Sequence, residues 1–239
     1  MTTTLKSGDV YGARMPVRAL MSDAPESVKT PVCQVRVNRM PGTGFLVAPD
    51  VVLTSYHLMA EVLEGVVRPG DVTVLFDHGP SETWKLARDF RLAASPPSRL
   101  DEVIDPGGEP TAAELDHVLL RLDGSPGEVR GFLRPSKTIP VFAPGSPLHI
   151  VQYPNGQGLM VAHQEDGVIE VNPERTRVRY RTWTTGASSG SPCFDGAWQL
   201  VAMHHATSPN RPVPLYNQGI PIHTLRDSLP AAVRRELGW

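Results

Sequence analysis

The chain has 239 residues with 23 basic and 25 acidic side chains, a formal net charge of −2. That length makes one domain or two small ones with a real core, and the near-neutral balance excludes a global pull toward nucleic acid or anionic membranes. With 24 prolines and 21 glycines, turns are frequent, which favours short strands over long helices. Two cysteines, Cys33 and Cys193, are too few for a disulfide framework. No apolar run is long enough to span a membrane, and the first residues lack the apolar stretch of a secretory signal. The expectation is a soluble, cytoplasmic protein with free thiols.

Residues 1–30 contain Gly8, Gly12, Pro16 and Pro25 without sustained periodicity and read as an N-terminal arm. From Val32, short β-rich runs repeat between turn signals: Val32–Asn38, Gly44–Val47, Val51–Thr54, Val72–Asp77, Trp84–Ala93 and His117–Leu122. Within them Phe45, Val47, Val51 and Leu53 read as core. Residues 95–112 form a long irregular loop before the last of these strands. A connector rich in proline and glycine covers 123–146. A second series follows: Leu148–Tyr153, Leu159–His163, Gly167–Val171, Arg175–Thr182, Trp198–His205 and Gly219–Ile222. Two groups of short strands across one linker predict an all-β protein of two small barrels. The boundaries are an arm over 1–30, a first barrel over 31–125 and a second over 126–239. Apolar residues at 225, 229, 233 and 237 predict a closing helix, which begins or restarts at Pro230.

Three local frames carry chemistry. In Thr184-Thr-Gly-Ala-Ser-Ser-Gly-Ser-Pro-Cys-Phe-Asp195, small residues flank Ser189 and permit the tight turn that exposes a nucleophilic hydroxyl beside backbone N–H groups. Taken alone, such a loop is a surface turn. In Gly42-Thr-Gly-Phe-Leu-Val through Leu53-Thr-Ser-Tyr-His57, a hairpin ends at a histidine, where a rigid element can hold a general base. Asp116 stands immediately before the apolar run His117–Leu122, where a buried carboxylate can accept a proton from a ring N–H. Taken alone, an aspartate there is more often a turn or cap residue.

The order His57, Asp116, Ser189 and the frame around each resemble the trypsin/chymotrypsin-like serine peptidases, over about residues 32–229. The resemblance implies a pair of six-stranded antiparallel β-barrels with a short C-terminal helix and a His57–Asp116–Ser189 triad between them. It also implies a serine endopeptidase that needs no cofactor and acts on a protein or peptide substrate. The backbone N–H groups of Ala187 and Ser189 would form the oxyanion hole. Alanine stands at 187 where the family usually has glycine, which narrows the backbone freedom of the loop.

The stretch 183–192, with His204 placed 15 residues after Ser189, is similar to the glutamyl endopeptidase branch. On that resemblance Thr184 and His204 line the primary pocket and bind a substrate Glu or Asp before the scissile bond. Because strand residues alternate, His204 and His205 face opposite ways and at most one points into that pocket. Arg175, Arg177, Arg179 and Arg181 alternate along one predicted strand and read as a solvated face. Eight histidines invite a metal, but no His-Glu-x-x-His or Cys-x-x-Cys motif supports one, so no metal is expected. Cys193 reads as packing. An unregulated cytoplasmic protease would endanger its cell, so control by a regulatory protein partner is expected, with neither nucleic acid nor membrane involved. The competing reading is a catalytically silent or partner-activated binding module on the same fold.

Overall fold

The computed structural model describes residues 24–103, 107–209 and 214–239. Residues 1–23 of the expected arm and 104–106 of the expected loop lie outside the described residues.

Two antiparallel sheets of seven strands each make the fold. The first contains β1 (Val32–Val37), β2 (Met40–Ala48), β3 (Val51–Thr54), β4 (Val72–Phe76), β5 (Glu82–Trp84), β6 (Leu86–Ser95) and β7 (His117–Leu122), in the order β5-β4-β1-β2-β3-β7-β6. The second contains β8 (His149–Gln152), β9 (Met160–Ala162), β10 (Val168–Val171), β11 (Val178–Tyr180), β12 (Pro192–Phe194), β13 (Leu200–Thr207) and β14 (Asn217–Pro221), in the order β10-β11-β14-β13-β12-β8-β9. Each curls into a barrel-like half. The seventh strand of the first sheet comes from the predicted run 84–93, which is two strands, and the polar β5 is set by its pairing with β4.

Why the central strands are apolar throughout follows from the packing. Along β2 and β3, Leu46 and Val52 point into the interior of the first half with Cys33, Val35, Val118 and Leu120. Their alternate neighbours Phe45, Val47, Val51 and Leu53 point the other way and pack with Val151, Tyr153, Phe194, Met203 and Ile220 of the second half. A strand buried on both faces has no polar side. The second half keeps its own interior around Leu148, Ile150, Val178, Tyr180, Cys193 and Ala202. Burial of Cys193 there pushes its thiol up to about 12, which suits packing and not nucleophilic use.

Helices are short. The expected arm ends in α1 (Glu26–Lys29), and Ala24 and Val28 belong to the cluster shared by the two halves, so this part of the arm is core. α2 (Tyr56–Leu63) follows β3, and α3 (Gly127–Arg130) interrupts the connector. At the C-terminus the single predicted helix is two, α4 (Ile222–Ser228) and α5 (Ala231–Leu237), with Pro230 as the N-cap of the second. Among the described residues no helix is long and apolar enough to cross a membrane.

The arginine run departs most from expectation. β11 is only Val178–Tyr180, and Arg175 precedes it in a turn with φ +53°. Arg177 is 1% exposed. Its guanidinium donates to both carboxylate oxygens of Asp101, at 2.9 and 2.7 Å, and to the carbonyls of Thr176 and Glu114. There is no four-arginine solvated face, because the segment between β6 and β7 folds over this one. Asn172 and Thr176 add bonds to Glu109 and the carbonyl of Pro110. Removing one partner of a buried ion pair strands the other charge, at a cost of about 3–5 kcal/mol. Asp101→Ala should therefore lower the urea unfolding free energy by about that amount. A loss below about 1 kcal/mol in the same measurement would mark the pair as a solvated surface contact.

Candidate active site

Asp116 is the centre of the site. Its side chain is 2% exposed, and a buried carboxylate must be fully hydrogen-bonded to stay ionised. The carboxylate receives the backbone N–H of His57 on Oδ1 at 2.9 Å and the Nδ1 of His57 on Oδ2 at 2.7 Å. A second ring, His205, places its Nδ1 3.1 Å from the same Oδ2. Asp116 has φ +43°, a left-handed conformation that aspartate tolerates better than most residues. Its own N–H is held by Pro96, and its carbonyl accepts the N–H of Tyr56.

His57 stands in the first turn of α2, where the helix start favours a nearby carboxylate. Because Asp116 is acceptor-only, the ring proton of His57 sits on Nδ1 and the lone pair on Nε2, the form a general base requires. The ring is 43% exposed. Burial opposes a charge on His57, but the bond to Asp116 and its negative charge outweigh this and hold the imidazole above its ordinary value. Burial likewise opposes the charge on Asp116. The bonds from His205 and His57 overcome it and hold the carboxyl far below the usual range.

Ser189 lies in the turn before β12. Its carbonyl accepts the N–H of Thr43 at 2.9 Å, and its hydroxyl donates to the carbonyl of His205 at 3.3 Å. Gly190 follows with φ +89°, and a Cβ there would stand 2.0 Å from the Thr43 carbonyl, so only glycine lets the loop lie against β2. Ala187 adopts φ +68°, the left-handed region that glycine would occupy without strain. It is held by the Thr43 hydroxyl, which donates to its carbonyl at 2.9 Å and accepts the N–H of Tyr153. The loop's main-chain bonds use the N–H groups of Ser188, Gly190 and Ser191.

His57 and Asp116 are thus joined directly, and Ser189 meets them through His205. Thr184 and His204 have different surroundings. The Thr184 hydroxyl oxygen is buried without a hydrogen-bond partner. His204 is buried with its Nδ1 2.6 Å from the Tyr180 hydroxyl, and burial lowers it to about 3. His204 and His205 go to different partners, Tyr180 and Asp116. The sequence reading gave His205 no role at the site. Among the described residues no group of three His, Cys, Asp or Glu side chains is arranged to hold a metal ion.

Residues 42–203 match the family model described as a trypsin-like peptidase domain. An uncharacterized protein of Sinorhizobium fredii is 28% identical over 181 residues, 71% of this chain and 26% of the relative. A probable serine protease of Lysobacter enzymogenes is 26% identical over 205 residues, 77% of this chain and 31% of the relative. The chain therefore spans about a quarter to a third of the length of these curated relatives. Among solved structures, a Glu endopeptidase in complex with MPD superposes with a TM-score of 0.61 at 17% identity, covering 87% of this chain and 95% of its own. A protease from M. tuberculosis in its active form superposes with a TM-score of 0.60 at 15% identity, covering 91% and 90%. At these identities the structural likeness concerns the fold.

The buried histidines make stability acid-sensitive with a definite sign. Burial lowers His117 to about 4 and His204 to about 3, so both are neutral in the folded chain where they protonate in the unfolded one. Between pH 6.5 and about 4 each of these rings binds up to one more proton in the unfolded state than in the folded one. His57 has the opposite sign, but its window lies above its ordinary value of 6.5. That of Asp116 lies below 3.8. The unfolding free energy should fall by about 2 kcal/mol per pH unit toward the acid end of this range. Urea titrations at pH 7, 6 and 5 measure it. A flat profile would show that these rings are hydrated in solution.

Proposed function

Because this chain belongs to the trypsin-like peptidase family, we propose that it is a serine endopeptidase acting on protein or peptide substrates, with His57, Asp116 and Ser189 as its catalytic residues. The observation that carries this reading is the buried Asp116 carboxylate on Nδ1 of His57, which leaves Nε2 free to accept a proton. The proposed halves are 31–125, bearing His57 and Asp116, and 126–239, bearing Ser189.

The steps follow from these groups. The Ser189 hydroxyl turns from the His205 carbonyl toward Nε2 of His57 and attacks the carbonyl carbon, and its proton passes to Nε2. The oxyanion of the tetrahedral intermediate takes hydrogen bonds from the N–H groups of Ala187 and Ser189. His57 then gives its proton to the leaving nitrogen, the C–N bond breaks, and an ester to Ser189 remains. Water attacks the ester with its proton going to His57, and the acid departs as that proton returns to Ser189. Each oxyanion donor contributes about 3–4 kcal/mol to such a step. Holding Ala187 in its strained conformation through Thr43 is therefore worthwhile.

A fluorophosphonate should form one adduct, at Ser189, located by mass spectrometry, and neither Ser189→Ala nor His57→Ala should label. Peptide hydrolysis should vanish in Ser189→Ala while its thermal melt stays within a few degrees of the parent. Turnover that persisted in that variant would assign the nucleophile elsewhere. No adduct in a folded sample would favour the silent or partner-activated module.

For specificity we propose Glu or Asp before the scissile bond, with Thr184 and His204 at the pocket. The unpartnered Thr184 hydroxyl supports this, since a buried polar atom calls for a partner. The Tyr180 hydroxyl donating to Nδ1 of His204 would fix the ring proton on Nε2. A neutral His204 would bind the acid by hydrogen bonding, without an ion pair. Matched peptides differing only as Glu or Gln should favour Glu, and Thr184→Val should reduce kcat/KM for Glu about tenfold more than for a neutral residue. An equal loss for both would make Thr184 structural.

A further inference from the structure

His205 is used by none of these steps, yet its ring is buried against the catalytic carboxylate. It occupies a bulge in β13, where the pairing with β14 slips between His204–Gly219 and Ala206–Gln218. Bulges re-aim a side chain beside functional sites, and this one turns the ring to Asp116 while His204 turns to Tyr180. Beyond it the Gln218 Nε2 lies 3.2 Å from Nε2 of His205 and donates to Asp101 Oδ1 at 2.7 Å. Asp101 in turn accepts from Arg177. The donor order assigns the tautomer. An amide N–H on Nε2 requires the His205 ring proton to be on Nδ1, where it donates to Asp116. Two ring N–H groups, from His57 and His205, therefore share the single oxygen Oδ2.

Resting on the serine peptidase reading, we propose that His205 is a positioning residue. It draws on the charge of Asp116 Oδ2, moderates the hold of that carboxylate on the proton of His57, and is itself fixed by Gln218, Asp101 and Arg177. The segment between β6 and β7 thereby helps to set the working pH of the base. The charged and titratable groups that bear on it are His57, Asp116, His117, His204, Asp101 and Arg177. Removing the His205 donor leaves both bonds from His57 in place, so the whole carboxylate charge falls on one imidazole. Its affinity for a proton then rises.

The test uses His205→Leu, which removes the donor at similar volume, and His205→Asn, whose amide N–H can replace Nδ1–H. In the full chain carrying Ser189→Ala, with 15N-labelled histidine, the NMR titration of His57 should move up by about half to one pH unit in His205→Leu. It should return toward the parent value in His205→Asn. With Ser189 present, the acid limb of kcat/KM should move by the same amount. Activity below the limb should fall about three- to tenfold, with KM and the alkaline plateau close to the parent's. A lowered plateau with an unmoved limb would make His205 purely structural and overturn the proposal. If His205→Leu does not fold, Gln218→Leu, which frees Nε2 of His205, should move the titration in the same direction by less. An unmoved titration there overturns the proposal equally. A shifted NMR titration in a chain without peptidase activity would keep the role of His205 and remove the peptidase reading. An active enzyme with an unmoved titration would do the reverse.

Discussion

One buried charge organises this molecule. An ionised carboxylate out of water is several kcal/mol uphill unless donors surround it, and Asp116 obtains them from both halves. The His57 backbone and ring N–H groups come from α2 on the first sheet, and the His205 ring N–H comes from β13 on the second. The two halves cannot separate here without stranding that charge. Docking of the sheets and orientation of the imidazole are in this sense the same interaction. The left-handed backbone at Asp116 is a small strain beside it, since such conformers cost about 1–3 kcal/mol.

Around that charge the contact between halves is graded from apolar to polar. Phe45, Val47, Leu53, Phe194 and Met203 exclude water from the middle. Toward the serine loop, Thr43 takes over with three bonds: its N–H to Ser189, its hydroxyl to Ala187, and that same hydroxyl accepting from Tyr153. The first half thus shapes a loop that belongs to the second. Gly190 completes the fit, because any side chain there would meet the Thr43 carbonyl.

What the sequence disclosed follows from the range of the forces involved. The alternation of Phe45, Val47, Val51 and Leu53, the small residues around Ser189 and the apolar run after Asp116 are local patterns, and they located strands, the serine loop and the paired His57 and Asp116. Arg177 shows where locality ends. Its period-two neighbours suggested a wet face, but Asp101, 76 positions away, receives it in the interior, and no local pattern reports that. Residues 24–30 misled for a related reason. Two apolar side chains, Ala24 and Val28, suffice to seat α1 in a core that other segments supply. The bulge that turns His205 to Asp116 is a register shift between two strands, so it is written in neither strand alone.

The buried polar chain from Arg177 to His57 also bears on how the described residues between β6 and β7, including the short helical turn Arg99–Glu102, are held. Irregular backbone must find partners for its N–H and C=O groups. Here Arg177 answers the Glu114 carbonyl, Thr176 that of Pro110, and the Ser95 hydroxyl closes the base by joining Ala113 and Leu115. Asp116 is the next residue, so its position is the end point of that closure. Asp101 is joined to Asp116 through Gln218 and His205.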